Sequence, residues 1–449
     1  MRIKKQFNSP IITPVVSINE AQHIRNLCIS LVLQAVVSYR SVPRILALFN
    51  QQTPLTLGWI PHFTSVINWT LRLGLGMLKQ IRPIEQPWLA ILDHSIDIGT
   101  KKAFVVLRVT IDKLAKKGKA LQLSDCECIG LKVSETVNGT SVSLELEEIF
   151  RQAGNPLAII KDGDYTLAKG VRLYSNKQET PVHVIEDIGH VIAIALKKEF
   201  KDSNGYKNFT ELTRKGASRL RQTNLAYLTP PKLRTKGRFQ SISKLGLWGD
   251  KMLKVLAVKG AAKKGSLLAR LRNALPGFSR LKPFITRFAK TAKITSNIME
   301  ILKNKGLNQA SYEQCLELSQ QLPRRSKVKK RLQIWLEQHL ILQKKLTSHS
   351  LLVSSDIIES LFGKFKHVIE RSSHADMNRT ALLIPALCGN MDEKMMSSTF
   401  SQTCHKDLNL WEKENIPYTM RKKRQVFFKE NKSQKTGRSR GFKGDISTA

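Results

Sequence analysis

Trp88-Leu89-Ala90-Ile91-Leu92-Asp93 and Pro156-Leu157-Ala158-Ile159-Ile160-Lys161-Asp162 are the two stretches that decide the fold. Each is a short apolar run that ends at or just before a carboxylate, the pattern of a central strand buried on both faces. Ala103 to Ile111 and Gly130 to Glu135 read as two more strands. Ser141 to Gln152 reads as a helix with Leu144, Ile149 and Phe150 on its apolar side. Tyr165 to Tyr174 reads as a short helix, Val182 to Ile185 as a strand and Ile188 to Phe200 as a helix. Three strands followed by helix, strand, helix, strand, helix make an α/β layer with a mixed sheet. In such a sheet the carboxyl ends of neighbouring strands share one edge, which predicts that Asp93 and Asp162 meet.

Upstream, Ala21 to Tyr39 is apolar at helical spacing, Ser41 to Phe49 starts with a capping serine, and Thr53, Pro54, Thr56 and Gly58 punctuate. His62 to Lys79 reads as a helix ending near Gly74-Gly76 and bearing Ser65, Asn68, Trp69 and Arg72. Helix, break and helix make a helix-turn-helix pattern, although a plain helical bundle reads the same way. Downstream, residues 201–345 lose all strand signal and become helical and rich in Lys and Arg. Ser354-Ser355-Asp356 then caps a helix from Ile357 to Glu370, Met377 to Leu387 reads as another, and the chain beyond 421 reads as a disordered basic tail.

The 449 residues carry 74 Lys and Arg against 35 Asp and Glu, a formal charge of +39. That excess calls for a polyanion, nucleic acid first. Hydrophobic residues at 41% are enough for real cores. No run approaches 18 apolar residues, and the first residues lack a signal peptide's apolar segment, so a soluble intracellular protein away from membranes is expected. Six scattered cysteines make no disulfide framework. Cys126-Glu127-Cys128 lacks a second pair at zinc spacing and reads as buried thiols. Gly260 to Ser266 lacks the ending of a phosphate loop, so no nucleotide cofactor is expected. Trp248 and Trp335 suit base stacking or, more simply, core packing.

Asp93, Asp162 and Glu359 form the constellation of interest. Two strand-end aspartates on one edge repel unless a cation lies between them, and Glu359 sits on a capped helix able to lean over that edge. Such hard oxygen donors suit Mg²⁺, and two ions clamp both oxygens of a phosphoryl transfer. Strand-end aspartates also commonly cap the next helix.

The order Asp, Asp, helical insert, Glu resembles the DDE transposases, in particular bacterial insertion-sequence enzymes whose RNase H-like domain is interrupted by helices, as in mutator-like and hAT elements. Four segments carry the resemblance: WLAILDHSIDIG with Asp93, PLAIIKDGDYTL with Asp162, VHVIEDIGHVIAIALK with Asp187 and His190, and DIIESLFGKFK with Glu359 and, two helical turns on, Lys366. VINWTLRLGL is similar to the family's helix-turn-helix. The resemblance covers roughly 40 to 390.

It implies an RNase H-like mixed-sheet α/β catalytic domain interrupted by an all-α insertion, with an N-terminal helix-turn-helix domain. The expected divisions are 1–85 (DNA-binding), 86–200 and 346–410 (catalytic), 201–345 (insertion) and 411–449 (tail). It further implies DNA strand cleavage and strand transfer at the ends of a mobile element. Asp93, Asp162 and Glu359 would be catalytic and hold two Mg²⁺ ions, with Mn²⁺ as a substitute. Lys366, Arg72 and Asn68 would contact DNA, and Asp187 and His190 would support the site. Double-stranded DNA at element ends and target, a homo-oligomer, and a bacterial cytoplasmic, nucleoid-associated location follow from the same resemblance. Asp97 competes with Asp93, Asp164 with Asp162 and Lys364 with Lys366, while Asp187 and His190 also suit a helix cap and its packing. The rival functions are a catalytically inactive, transposase-derived DNA-binding protein or repressor, and a structure-selective nuclease.

Overall fold

The structure, a computed structural model, describes residues 16–18, 20–53, 55–94, 101–113, 120–232, 239, 242–258, 260–369, 377–416, 418–419 and 421–429. Two short parallel strands, β1 (Val16–Ile18) and β2 (Leu55–Leu57), stand apart from a five-stranded mixed sheet. The large sheet comprises β3 (Trp88–His94), β4 (Lys102–Thr110), β5 (Glu127–Ser134), β6 (Ala158–Lys161) and β7 (His183–Glu186), in the order β5-β4-β3-β6-β7. β3, β4 and β5 pair antiparallel, and β3, β6 and β7 pair parallel.

The helices, in chain order, are α1 (Ala21–Leu33), α2 (Ser41–Gln52), α3 (Phe63–Lys79), α4 (Gly139–Ala153), α5 (Tyr165–Ser175) and α6 (Ile188–Phe200). Then follow α7 (Asn204–Arg221), α8 (Ile242–Leu256), α9 (Leu267–Ala274), α10 (Lys282–Lys305), α11 (Gln309–Gln320) and α12 (Lys327–Leu346). The series ends with α13 (Asp356–Ile369), α14 (Leu383–Ala386), α15 (Glu393–Ser401) and α16 (His405–Asn415). The described residues of 86–200 thus alternate strands and helices, and those of 201–345 are helical. Leu144 is not on the apolar side of its helix: it is exposed, and α4 turns Val142, Leu146, Ile149 and Phe150 inward instead.

Strand alternation explains the layers. Trp88, Ala90 and Leu92 of β3 face α4 and α5 in one core with Ile149, Leu167 and Val171. Leu89 and Ile91 face the other way, into the larger core with α1–α3, α6, the insertion and α13. Ala158 and Ile160 of β6 and Ile185 of β7 face that same side. Continuing the alternation, Asp93, Asp162 and Asp187 all fall on the large-core side.

The N-terminal helices depart from the helix-turn-helix expectation and follow the helical-bundle alternative. A recognition helix needs an exposed face to enter a groove, but along α3 only Thr64 and Lys79 are fully exposed. Val66, Thr70, Leu71, Leu73, Gly74, Leu75 and Gly76 are buried, and α3 packs against α1, α14, α15 and α16. Gly74 does not end the helix, which runs to Lys79. A Cβ on Gly74 would lie 1.8 Å from the carbonyl oxygen of Leu382, so its bare backbone is what lets α14 approach. The described helix α3 thus packs onto the helices of 383–415. The tail also differs from expectation: α16 and residues 421–429 are helical, while 430–449 lie outside the described residues.

One buried carboxylate is prominent among the ties between the helices of 201–345 and the sheet layer. Glu199, near the end of α6, accepts from Ser326 Oγ (2.6 Å), the Val328 N–H (3.0 Å) and Arg287 Nη2 (2.7 Å), joining α6, α10 and the start of α12. Burial pushes its pKa up, but these donors outweigh burial and hold it below the usual range. A depressed folded pKa contributes stability that is present above the unfolded pKa and lost as pH falls through the folded one. Glu199→Gln is expected to cost about 1–3 kcal/mol at pH 7 and less at acid pH, once the folded carboxyl takes up its proton, as read by urea unfolding. A loss of equal size at neutral and acid pH would rule out this charge-based tie. Trp335 and Trp248 serve the core: Trp335 is fully buried, with its indole N–H donating to Glu186 O at 3.1 Å, and Trp248 donates to Leu228 O at 3.0 Å.

Candidate functional site

Parallel pairing sets the site. Leu92 of β3 is in register with Lys161 of β6, and Lys161 with Glu186 of β7. Asp93, Asp162 and Asp187, one residue further along each strand line, therefore stand side by side at the carboxyl edge. Asp93 Oδ1 accepts from the His94 N–H at 2.6 Å and Asp162 Oδ1 from the Asp164 N–H at 2.8 Å. Burial, then the neighbouring Asp162 charge and, more weakly, Glu359, push the Asp93 carboxyl up to about 7, against the pull of His94.

His190, in the first turn of α6, stands between the other two carboxylates. Its Nδ1 is 3.9 Å from Asp162 Oδ2 and its Nε2 3.8 Å from Glu359 Oε1. Burial lowers its pKa, but the hydrogen bond to Glu359 and the charges of Asp187, Asp162 and Glu359 prevail and raise it to about 9. The ring is therefore an imidazolium at neutral pH, bridging groups that the chain separates by the whole insertion.

Asp187 lies beneath this cluster. It is buried, and its Oδ2 accepts from both the N–H (2.6 Å) and the hydroxyl (3.0 Å) of Ser355, while Oδ1 accepts from the His190 N–H at 2.8 Å. Burial, the largest influence, raises its pKa. The Ile188 N–H also donates to Val353 O at 3.0 Å. These bonds pin the chain returning from the insertion to the start of α6 and so place α13, which carries Glu359. The capping alternative thus holds for Asp187 as well, since it caps α6 while holding Ser355. Lys303 of α10 pairs with Asp356, a second tie between insertion and α13.

The competing residues separate by role. Asp164 caps α5, accepting from Thr166 N–H (2.7 Å) and Leu167 N–H (3.2 Å), and lies 3.2 Å from His94 Nε2. Asp97 lies outside the described residues. Lys366 is half-buried and Lys364 exposed on α13. Lys366 shares Glu359's face, with Gly363 between them and no atom within 4 Å of where its Cβ would stand, so that face is open. Arg72 is not available to read a base: it donates to the carbonyls of Thr403 and, at 3.2 Å, Phe400, and its guanidinium lies over the Phe400 ring. Asn68 is half-buried on the same packed helix. Arg72 is thus engaged within the fold by residues 400–403. His94, beside Asp164, carries no signal in the sequence beyond following Asp93 on the strand.

The donor set of Asp93, Asp162 and Glu359 is of the hard-oxygen kind that Mg²⁺ takes, and the raised Asp93 marks a charge the protein leaves largely uncompensated. Among the described residues no three His, Cys, Asp or Glu side chains are arranged to hold a metal ion as they stand; Asp162 and Glu359 are turned toward His190. Cys126 and Cys128 are buried, and burial pushes the Cys128 thiol up to about 12. Among the described residues no helix is long and apolar enough to cross a membrane.

No protein-family model matches the chain, and no curated protein matches it. Among solved structures, the Drosophila P element transposase strand transfer complex is similar over 82% of this chain and 91% of that one, at 12% identity and a TM-score of 0.42. A likeness of that size is too slight to assign a function.

Proposed function

We propose that this protein is a DNA transposase of the DDE type, cutting and joining DNA strands at one site built from Asp93, Asp162 and Glu359. The observation that carries the reading is that Asp162 and Glu359 flank His190 at 3.9 and 3.8 Å, while Asp93, one strand over at the same sheet edge, feels the charge of both carboxylates. Three strands followed by alternating helices and strands, with a helical insert before Glu359, support an RNase H-like catalytic domain. The charge of +39 supports a nucleic-acid partner.

Asp93, Asp162 and Glu359 would hold the divalent ions, preferably two Mg²⁺. Bound there, the ions would supply charge neutralisation and an activated oxygen nucleophile. The chain's own residues position and compensate. Asp187 fixes Ser355 and hence the start of α13. His190 neutralises Asp162 and Glu359 before substrate arrives. Lys366, on the open face of α13, is placed for a phosphate near the reacting strand. Catalysis of this kind rests on positioning and on charge placed in advance.

The test is incubation of the purified protein with Mg²⁺ and DNA carrying the sequences that flank its gene, followed by sequencing of the products. Expected products are cuts at the element ends and joints in which a 3′-hydroxyl has attacked target DNA. Cutting without joining would select a nuclease, and binding without cutting would select a repressor.

A further inference from the structure

The outward face of α6 leads directly away from the carboxylate cluster. Its inner residues Val191, Ile192, Ala195 and Leu196 are buried. On the other side stand His190, Ile194, Lys197, Lys198 and, at the helix end, Lys201. At about 100° per residue these five fall within an arc of roughly 100°, so they form one stripe. His190 begins it, beside Asp162 and Glu359. Ile194, one turn on, is 42% exposed. Its Cδ1 lies 3.1 Å from where a Cβ on Gly163 would stand, so it abuts the turn after Asp162. Tyr165, two residues beyond Gly163, is 77% exposed. Lys197, Lys198 and Lys201 are exposed, and none forms an ion pair among the described residues.

Exposed apolar side chains at the carboxylate turn, with unpaired cations leading off, match what a single nucleic-acid strand needs: a surface for a base and charges for its phosphates. The stripe is about 16 Å long, the span of about five nucleotides at roughly 3.4 Å each. We propose that this face of α6 is the guide for the strand being cut. Ile194 and Tyr165 hold the nucleotide next to the carboxylates, and Lys197, Lys198 and Lys201 hold the phosphates beyond it. The assignment of that strand as the substrate rests on the transposase reading; the binding itself does not.

The experiment measures binding of a labelled 20-nucleotide single strand of mixed sequence to the full-length protein in EDTA, between about 50 and 200 mM salt. K197Q/K198Q/K201Q should flatten the log–log salt dependence by about 0.7 for each phosphate that the variant no longer neutralises. K394Q/K406Q/K413Q removes the same charge from α15 and α16 and should change the slope by less than about 0.7 in all. Tyr165→Ala should weaken binding about tenfold without changing the slope, and Tyr165→Phe should restore it. Equal slopes for the two triple variants, or full binding by Tyr165→Ala, would overturn the guide. Because EDTA removes catalysis from the measurement, the two readings fail separately. An unchanged slope alongside a cleavage-dead Asp93→Asn rejects the guide alone, and a flattened slope alongside an active Asp93→Asn rejects the catalytic reading alone.

Discussion

Asp93→Asn is expected to make the fold more stable at neutral and alkaline pH while abolishing strand cleavage. The folded protein holds the Asp93 proton more tightly than the unfolded chain does, because burial and Asp162 raise its pKa to about 7. A raised folded value favours folding at low pH, and that advantage is lost as pH climbs from the ordinary carboxyl range to about 7. Asparagine keeps the shape and removes the charge. The gain should be about 4 kcal/mol at pH 8 and should shrink toward zero as pH is lowered to 4, as measured by urea unfolding of both proteins. Millimolar Mg²⁺ should stabilise the wild type, since a ligand of the folded state adds stability by mass action, and should act much less on the variant. A gain that does not vary with pH would mean that Asp93 is not the strained carboxylate described.

Gly74→Ala is the second large effect. The new methyl group would meet the Leu382 carbonyl oxygen at 1.8 Å and Pro385 Cγ at 3.3 Å. Backbone cannot yield as a side-chain tip does, so α3 and α14 must separate, at a cost of about 3 kcal/mol. Gly363→Ala provides the contrast. It too is helical, but its face is open, and alanine there should add about 0.5–1 kcal/mol through helix propensity. Equal effects at the two glycines in urea unfolding would contradict the packing of α3. On the same grounds, residues 1–85 expressed alone should not fold, because Leu71, Leu73 and Leu75 would lose their cover.

These two regions differ in how openly the sequence declares them. β3 and β6 are buried on both faces, so each shows as an unbroken apolar run, and the run's end marks Asp93 and Asp162. Glu359 is legible because Ser354-Ser355-Asp356 announces a helix start. What the serines do is less legible: Ser355 turns its hydroxyl to Asp187, a contact across the insertion that no local pattern records. The burial of α3 is hidden for a similar reason. One part of its cover, Glu393–Ser401, is polar along most of its length, and Gly74 and Gly76 look like helix breakers when the need is for close approach. Arg72 looks free in sequence because its partners are backbone carbonyls of Phe400 and Thr403, which leave no trace in residue type. His94 and Asp164 form a contact between strand ends that depends on the sheet order, which local patterns do not fix.

The central claim is that Asp93, Asp162 and Glu359 act as one unit, and single-turnover cleavage of DNA carrying the element ends in Mg²⁺ tests it most directly. Asp93→Asn, Asp162→Asn and Glu359→Gln are each expected to abolish cleavage while binding those ends as the wild type does. Asp164→Asn, which keeps the cap on α5 and loses only the charge beside His94, should remain active. Each pairwise double variant should be no slower than its singles, because groups that work together lose their function together. Cleavage near the wild-type rate by any of the three single variants, or double variants whose losses multiply, would contradict the account.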